Sequence, residues 1–451
     1  MNRQRIAPLS VPRLNVVMNK PSARDRLEQA LSRIADPAGE GPRACLTLYD
    51  KAARAAGEAA DARARAGTEL GPLDGAIVTI KDLFDVAGEV TRAGSRVLAE
   101  EAKPAAADAP VVQRLRASGA VIVAKTNMSE FAFHGVGTNP HFGTPGNPFD
   151  RARAPGGSTS GGAVAVADGM CEIAIGSDTG GSTRTPAALC GIVGWKPSRQ
   201  RVPTDGAFPL SFTLDSIGPM ARTVQQCADA DAVMAGEQPR PLDPAPLTGL
   251  RLGIPQGFPL DGLDETVAAA WTAAQGRLTK AGARLSDEKI PLVDEMVKVN
   301  ALGGFAPAEA YAIHRERLKR RGEEVDQNVR ARIERGSSIA AADYVEMAQA
   351  RRRLMAAMDA RLADFDALVL PTTPIVAPRI ADVGTVEAFG PKNMLLLRNT
   401  SMVNFFDLCA ISLPLPRATG GLATGLMLVA RNGQDARLFR IAAAVENWLA
   451  G

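Results

Sequence analysis

One lysine and two loops crowded with serine and glycine carry the chemistry available to this chain. Lys81 closes the apolar run "GAIVTIK", and the stretches "PGGSTSGGAVAVA" (155–167) and "GSDTGGSTRTP" (176–186) flank a short helix–strand unit that folds them back toward each other. A serine hydroxyl is a weak nucleophile until a base removes its proton, and a lysine can serve where histidine does not. The amine must first be neutral. Bringing it from a reference pKa of about 10.4 to roughly 7–8 costs about 4 kcal/mol, which burial among apolar groups supplies. A lysine at the end of a core strand, as Lys81 is read, meets that condition. Glycines 156, 157, 161, 162, 180 and 181 let bare backbone approach a ligand and let successive N–H groups share one concavity. Such a nest suits the oxyanion that develops in acyl transfer. The segment before Ser182 therefore reads as an oxyanion hole. Both loops are embedded in apolar sequence, which separates them from flexible Gly/Ser linkers.

Other chemistries find little support. No glycine precedes a lysine, so a phosphate-cradling G-x-x-x-x-G-K-[ST] loop is absent. His134, His141 and His314 are the only histidines and form no H-E-x-x-H pair, so no metal centre is expected. G-x-S-x-G is missing too. The S-x-x-K at Ser286–Lys289 lies in a charged segment where neither group would be desolvated. The five cysteines (45, 171, 190, 227 and 409) are scattered and odd in number, which fits a reducing compartment, the cytoplasm, rather than a disulfide framework. A net charge of +3 gives no footprint for nucleic acid. The basic run 314–336, interleaved with glutamates, reads as a solvated helix face with i,i+4 ion pairs. "MNRQRIAPLSVPRLNVVMNKP" has no sustained apolar core, so no signal peptide is expected, and no run approaches membrane-spanning length.

The elements that must position these groups read as α/β. A helix capped by Ser22 leads into an Ala/Arg-rich helical stretch ending near Gly67. Apolar strands follow in 73–86 and 108–133, the latter preceded by a helix and a glycine turn, whereas 134–161 is irregular. A small-residue helix and the strand "CEIAIGSD" follow. Residues 264–285 and 341–365 are expected to be long helices, strand signals return at 367–378 and 424–430, and a helix closes the chain. Helices alternating with short apolar strands imply a largely covered sheet. With no linker or repeat, we divide the chain into an N-terminal helical segment (1–67), a core (68–235), a helical middle (236–365) and a C-terminal part of the same core (366–451).

The stretch 155–197 strongly resembles the signature of the amidase signature family. The resemblance extends through "GAIVTIKDLFDVAG", "GAVIVAKTNMSEFAF", "NP" at 147–148, "LVLPTTP" and "NTSMVN". It implies one α/β domain, with a central mixed sheet covered by helices on both faces. It also implies a Ser-Ser-Lys triad of Lys81 as base, Ser158 (after an unusual cis peptide) as relay, and Ser182 as nucleophile. Oxyanion donors would be the N–H groups of Thr179, Gly180, Gly181 and Ser182, with pocket backbone near Ala132 and Phe133. Thr159 stands where the family usually has serine, so the hydroxyls of Thr159 and Ser160 remain alternative relays. Arg184 is read as holding the loop.

The implied activity is hydrolysis of a small carboxamide to acid plus ammonia or amine through a serine acyl-enzyme, with no cofactor. Alternatives are a glutaminase-type subunit of a tRNA-dependent amidotransferase, a urea-derivative hydrolase, and a non-catalytic amide-binding protein. The loop 130–143, with Phe208, Phe212, Phe405 and Phe406, hints at an apolar or aryl substrate. No acidic or basic specificity residue is evident. The expected partner is the small amide alone, with no nucleic acid or membrane, and a homodimer is the default assembly.

Overall fold

Eleven strands form one sheet in the order β1-β3-β2-β4-β6-β5-β10-β11-β9-β7-β8. They are β1 (Cys45–Leu48), β2 (Ile77–Lys81), β3 (Val121–Thr126), β4 (Ile173–Ser177), β5 (Val193–Lys196) and β6 (Ile217–Ala221), then β7 (Arg251–Pro255), β8 (Arg284–Glu288), β9 (Ala367–Pro371), β10 (Cys409–Pro414) and β11 (Gly425–Ala430). This computed structural model describes residues 21–450; the signal-peptide reading of the first residues falls almost wholly outside them. Pairing is mixed: β2 runs parallel to β3 and β4, whereas β4–β6, β6–β5, β5–β10 and β10–β11 are antiparallel. The sheet is therefore divided by sequence, with residues up to Ala221 on one side of the β5–β10 seam and residues from Arg251 onward on the other.

Strand periodicity explains the two covered faces. Val78 and Ile80 of β2, Ile173 and Ile175 of β4, and Ile411 and Leu413 of β10 point into one apolar cluster. Ile77 and Ala174 point into a second cluster, built with the helices Ala23–Ala35 and Ser160–Ala167. Ala410, Met427 and Val429 extend that second face under the helices Ala341–Arg361 and Val386–Phe405. The helix Ser160–Ala167 ("SGGAVAVA") consists of small residues and is buried along nearly its whole length. A Cβ on Gly161 would stand 2.4 Å from the Ala44 carbonyl oxygen, so only glycine permits that approach. Local signals behave as expected at the N-terminal helix, where Ser22 Oγ accepts from Asp25 N–H, and at Gly67, which ends the helix Asp50–Ala66 in the left-handed region at φ 66°.

The middle region departs from its helical reading. The helix Glu265–Lys280 stops before Arg284, and "RLSDE" forms the edge strand β8, parallel to β7. The polar composition is that of a sheet edge, which does not alternate because neither face is fully covered. Ser286 is exposed there, in keeping with a chance S-x-x-K. The basic run divides between the helices Phe305–Arg321 and Gln327–Glu334, and pairs such as Lys319–Glu316 and Arg330–Glu334 bear out its solvated reading over most of its length. Among the described residues no helix is long and apolar enough to cross a membrane, and no group of His, Cys, Asp and Glu is arranged to hold a metal ion.

Candidate active site

β2 and β4 are parallel neighbours, and their carboxyl ends deliver the first pieces of the site, as is usual for ligand sites on parallel strands. Lys81, the last residue of β2, is fully buried, with Nζ 2.7 Å from Ser158 Oγ and 2.9 Å from Ser177 Oγ. Burial pushes its amine down to about 7, against an opposing pull from Asp178 and Asp215. The nearest hydrogen-bonding partners are thus neutral hydroxyls, and the amine can lose its proton near neutrality. Ser158 follows a cis Gly157–Ser158 peptide bond, and its carbonyl accepts from Ser129 N–H at 3.1 Å. Of the alternative relays, Thr159 Oγ1 points to the Ser177 carbonyl at 3.5 Å, and Ser160 Oγ has no partner among the described residues. Of the three candidate relays, Ser158 is the one that meets the lysine.

The loop after β4 is held by a carboxylate that sequence reasoning passed over. Asp178 is fully buried. It accepts from Gly181 N–H (2.8 Å), Thr183 N–H (3.2 Å) and Thr183 Oγ1 (2.9 Å), from Arg184 Nη2 (2.8 Å) and Nε (3.1 Å), and from Asn404 Nδ2 (2.9 Å). Burial alone would raise this carboxyl, but Arg184, followed by Asn404 and Lys196, holds it well below the usual carboxylate range. Arg184 is fully buried against Asp178 and also donates to the Thr400 carbonyl and to Asn404. The helix Val386–Phe405 thus clamps the loop, and Thr400 Oγ1 donates to the Gly180 carbonyl at 2.7 Å.

This clamp bears on the expected oxyanion donors. Gly181 N–H is committed to Asp178, so it has no direction left for a substrate oxygen. The N–H groups of Thr179, Gly180 and Ser182 have no protein acceptor among the described residues. Thr179 is fixed through its hydroxyl, which donates to Asp215 at 2.6 Å, while burial pushes the Asp215 carboxyl up to about 6. Ser182 is nearly buried, and its carbonyl accepts from Thr159 N–H at 3.3 Å, which ties the two serine loops together.

Ser182 opens on a cleft of about 590 Å³ that Ala132 and Phe133 also line. Phe131 and Ala132 adopt positive φ (51° and 61°), and the N–H groups of Ala132 and Phe133 close local turns on Ser129 and Glu130. Of the four phenylalanines expected at the pocket, only Phe405 lines it, joined by Phe258 and Phe305. Phe208 stacks on Phe131 and Phe406 packs in the core, whereas Phe212 is 61% exposed on the surface. The sequence makes no charged specificity residue evident, yet Arg332, Arg335 and Arg398 line the cleft.

A profile of the Amidase family matches residues 26–439. The chain belongs to the amidase family. It is 38% identical to 2-amino-5-chloromuconic acid deaminase of Comamonas testosteroni, over 87% of this chain and 86% of that one. To the A-type component of the glutamyl-tRNA(Gln) amidotransferase of Symbiobacterium thermophilum it is 35% identical, over 97% and 96%. A crystal structure described as an amidase superposes with a TM-score of 0.84 at 33% identity, covering 95% of this chain and 96% of the other. As an amidase-family protein, the chain is a hydrolase acting on amide C–N bonds.

Proposed function

We propose that Lys81, Ser158 and Ser182 hydrolyse a small carboxamide through an acyl ester on Ser182. The carrying observation is a fully buried Lys81 amine, held near neutrality and 2.7 Å from the Ser158 hydroxyl, beside a loop with unpaired N–H groups. Ser182 Oγ attacks the carbonyl carbon, and its proton passes through Ser158 to neutral Lys81. The carbonyl oxygen becomes an oxyanion facing the N–H groups of Thr179, Gly180 and Ser182. Collapse breaks the C–N bond, and the proton returns along the same relay to the departing ammonia or amine. Water then attacks the ester; its proton takes the relay back to Ser182, and the carboxylic acid leaves. Ser182 Oγ makes no hydrogen bond to Ser158 in the structure. Such contacts commonly tighten only with substrate bound.

The test is an amide panel with ammonia and amine detection, together with fluorophosphonate labelling of Ser182. Turnover and labelling are both expected to vanish in Ser182→Ala, and persistence of turnover in that variant would reject the assignment. A glutaminase-type component of an amidotransferase is the second reading, supported by relatives that carry that name. Rapid hydrolysis of simple amides by the isolated chain would count against it. Ureido carbonyls are a variant of the same chemistry. The free cysteines, four of them buried, support a reducing interior such as the cytoplasm, and a homodimer stays the default assembly.

A further inference from the structure

The cleft that receives Ser182 is lined by Arg332, Arg335 and Arg398 and, among the described residues, by no aspartate or glutamate. None of the three arginines forms an ion pair with a described carboxylate. Residues 1–20 contain no Asp or Glu and so hold no carboxylate side chain to pair with them. Asp261 pulls on Arg398 only at a distance. His134, also on the wall, is held neutral, because burial and then Arg332 push it down to about 3. Arg335 is exposed, but Arg332 and Arg398 are half-buried, and partly desolvated cations without a counter-ion are costly unless a ligand carries the balancing charge.

Arg332 is the best oriented of the three. Its Nε–H donates to the Phe133 carbonyl at 2.9 Å and its guanidinium lies 4.8 Å from the Phe133 ring centroid. Both terminal nitrogens are left without a protein acceptor among the described residues, and that edge suits a planar carboxylate. Burial, then Arg335, lowers its pKa to about 10, so it remains charged at neutral pH. Arg398 spends Nη2 on the Pro259 carbonyl and Nε on Asn399, and its guanidinium lies near Phe258.

We infer that the substrate is an amide bearing a carboxylate and no ammonium group, with the carboxylate read by Arg332 and seconded by Arg398. This deepens the amidase reading and rests on it. It also separates the chain from a glutamine hydrolase, because an α-ammonium would enter a cleft of three cations with no acid to receive it.

The test compares kcat/KM for glutaramate, for pentanamide (a methyl group in place of the carboxylate) and for glutamine (an added α-ammonium). Glutaramate should exceed each of the others by about tenfold or more. The glutaramate-to-pentanamide ratio should collapse toward one in Arg332→Met and in Arg398→Met and partly recover in Arg332→Lys, and salt should raise KM for glutaramate but not for pentanamide. A wild-type ratio at or below one, or a ratio unmoved in both methionine variants, overturns the inference. Calorimetric titration of Ser182→Ala with the same three compounds reads recognition without turnover. Selective glutaramate binding by a chain whose wild type hydrolyses none of the three would sink the small-carboxamide reading of Ser182 and leave carboxylate recognition by Arg332 standing. Equal binding of all three would do the reverse.

Discussion

A lysine amine that must work as a base near neutrality needs burial without an adjacent carboxylate, and Lys81 has both. The nearby acid, Asp178, is spent on Arg184 rather than on the lysine. Because burial lowers the Lys81 pKa to about 7, kcat/KM should rise as pH climbs through that value and the amine deprotonates. A flat profile between about pH 5.5 and 8.5 would reject Lys81 as the base, as would Lys81→Met with undiminished turnover. The folded chain binds this proton less tightly than the unfolded one, whose amine keeps an ordinary value near 10.5. This group's contribution to stability therefore increases with pH from about 7 toward 10.5. Urea melts in that window should show the slope in wild type and lose it in Lys81→Met. Asp178 carries a different expectation. Removing it strands the buried Arg184 cation and frees the loop N–H groups, so Asp178→Ala should lose about 3–5 kcal/mol by urea denaturation. A loss below about 1 kcal/mol would mean that the pair is not the clamp described. Ser177 and Asp178 stood in plain view in "GSDTGGS", but a strand end does not reveal which of its polar side chains turns inward.

At the scale of elements, the loop carrying Ser182 is shaped by what packs over it. Gly181 sits at φ 132°, and a Cβ there would lie 2.1 Å from Thr400 Oγ1 on the helix Val386–Phe405. Gly181→Ala must therefore push the loop off that helix. We expect kcat/KM to fall by about tenfold or more, through strain of order 1–3 kcal/mol. An alanine variant with wild-type kinetics and melting temperature would show that the helix does not set the loop. The small-residue helix, the strand ending at Lys81 and the glycine stop at Gly67 were all legible, because local periodicity and capping decide them. β8 was not. "RLSDE" has no apolar alternation, and it is a strand only because β7 offers a parallel edge. Arg332 likewise sits in a run whose charge pattern matches a solvated helix face, which describes its neighbours well.

For the whole molecule, the β5–β10 seam is the feature that matters. Lys196, Trp195 and Gly194 pair with Ala410, Ile411 and Ser412, which join the two sequence halves into one sheet. The loop carrying Ser182 belongs to the first half and its clamp, Thr400 and Asn404, to the second. Urea unfolding followed by tryptophan fluorescence should coincide with far-UV circular dichroism, since Trp195 and Trp271 lie on opposite sides of the seam yet in one apolar cluster. Two separated transitions would show that the halves are independent units.

The amino-acid order by itself settled the alternation of helices and strands, the lysine at a strand end and the two glycine-bearing serine loops. These depend on residues near one another along the chain, where side-chain period and turn chemistry act. Tertiary structure alone decided that Gly181 N–H serves Asp178 rather than a substrate, which phenylalanines face the cleft, and that Arg332 and Arg398 share a wall with Ser182. Those outcomes depend on which distant segments meet across the sheet, and no local pattern encodes a meeting between segments more than a hundred residues apart.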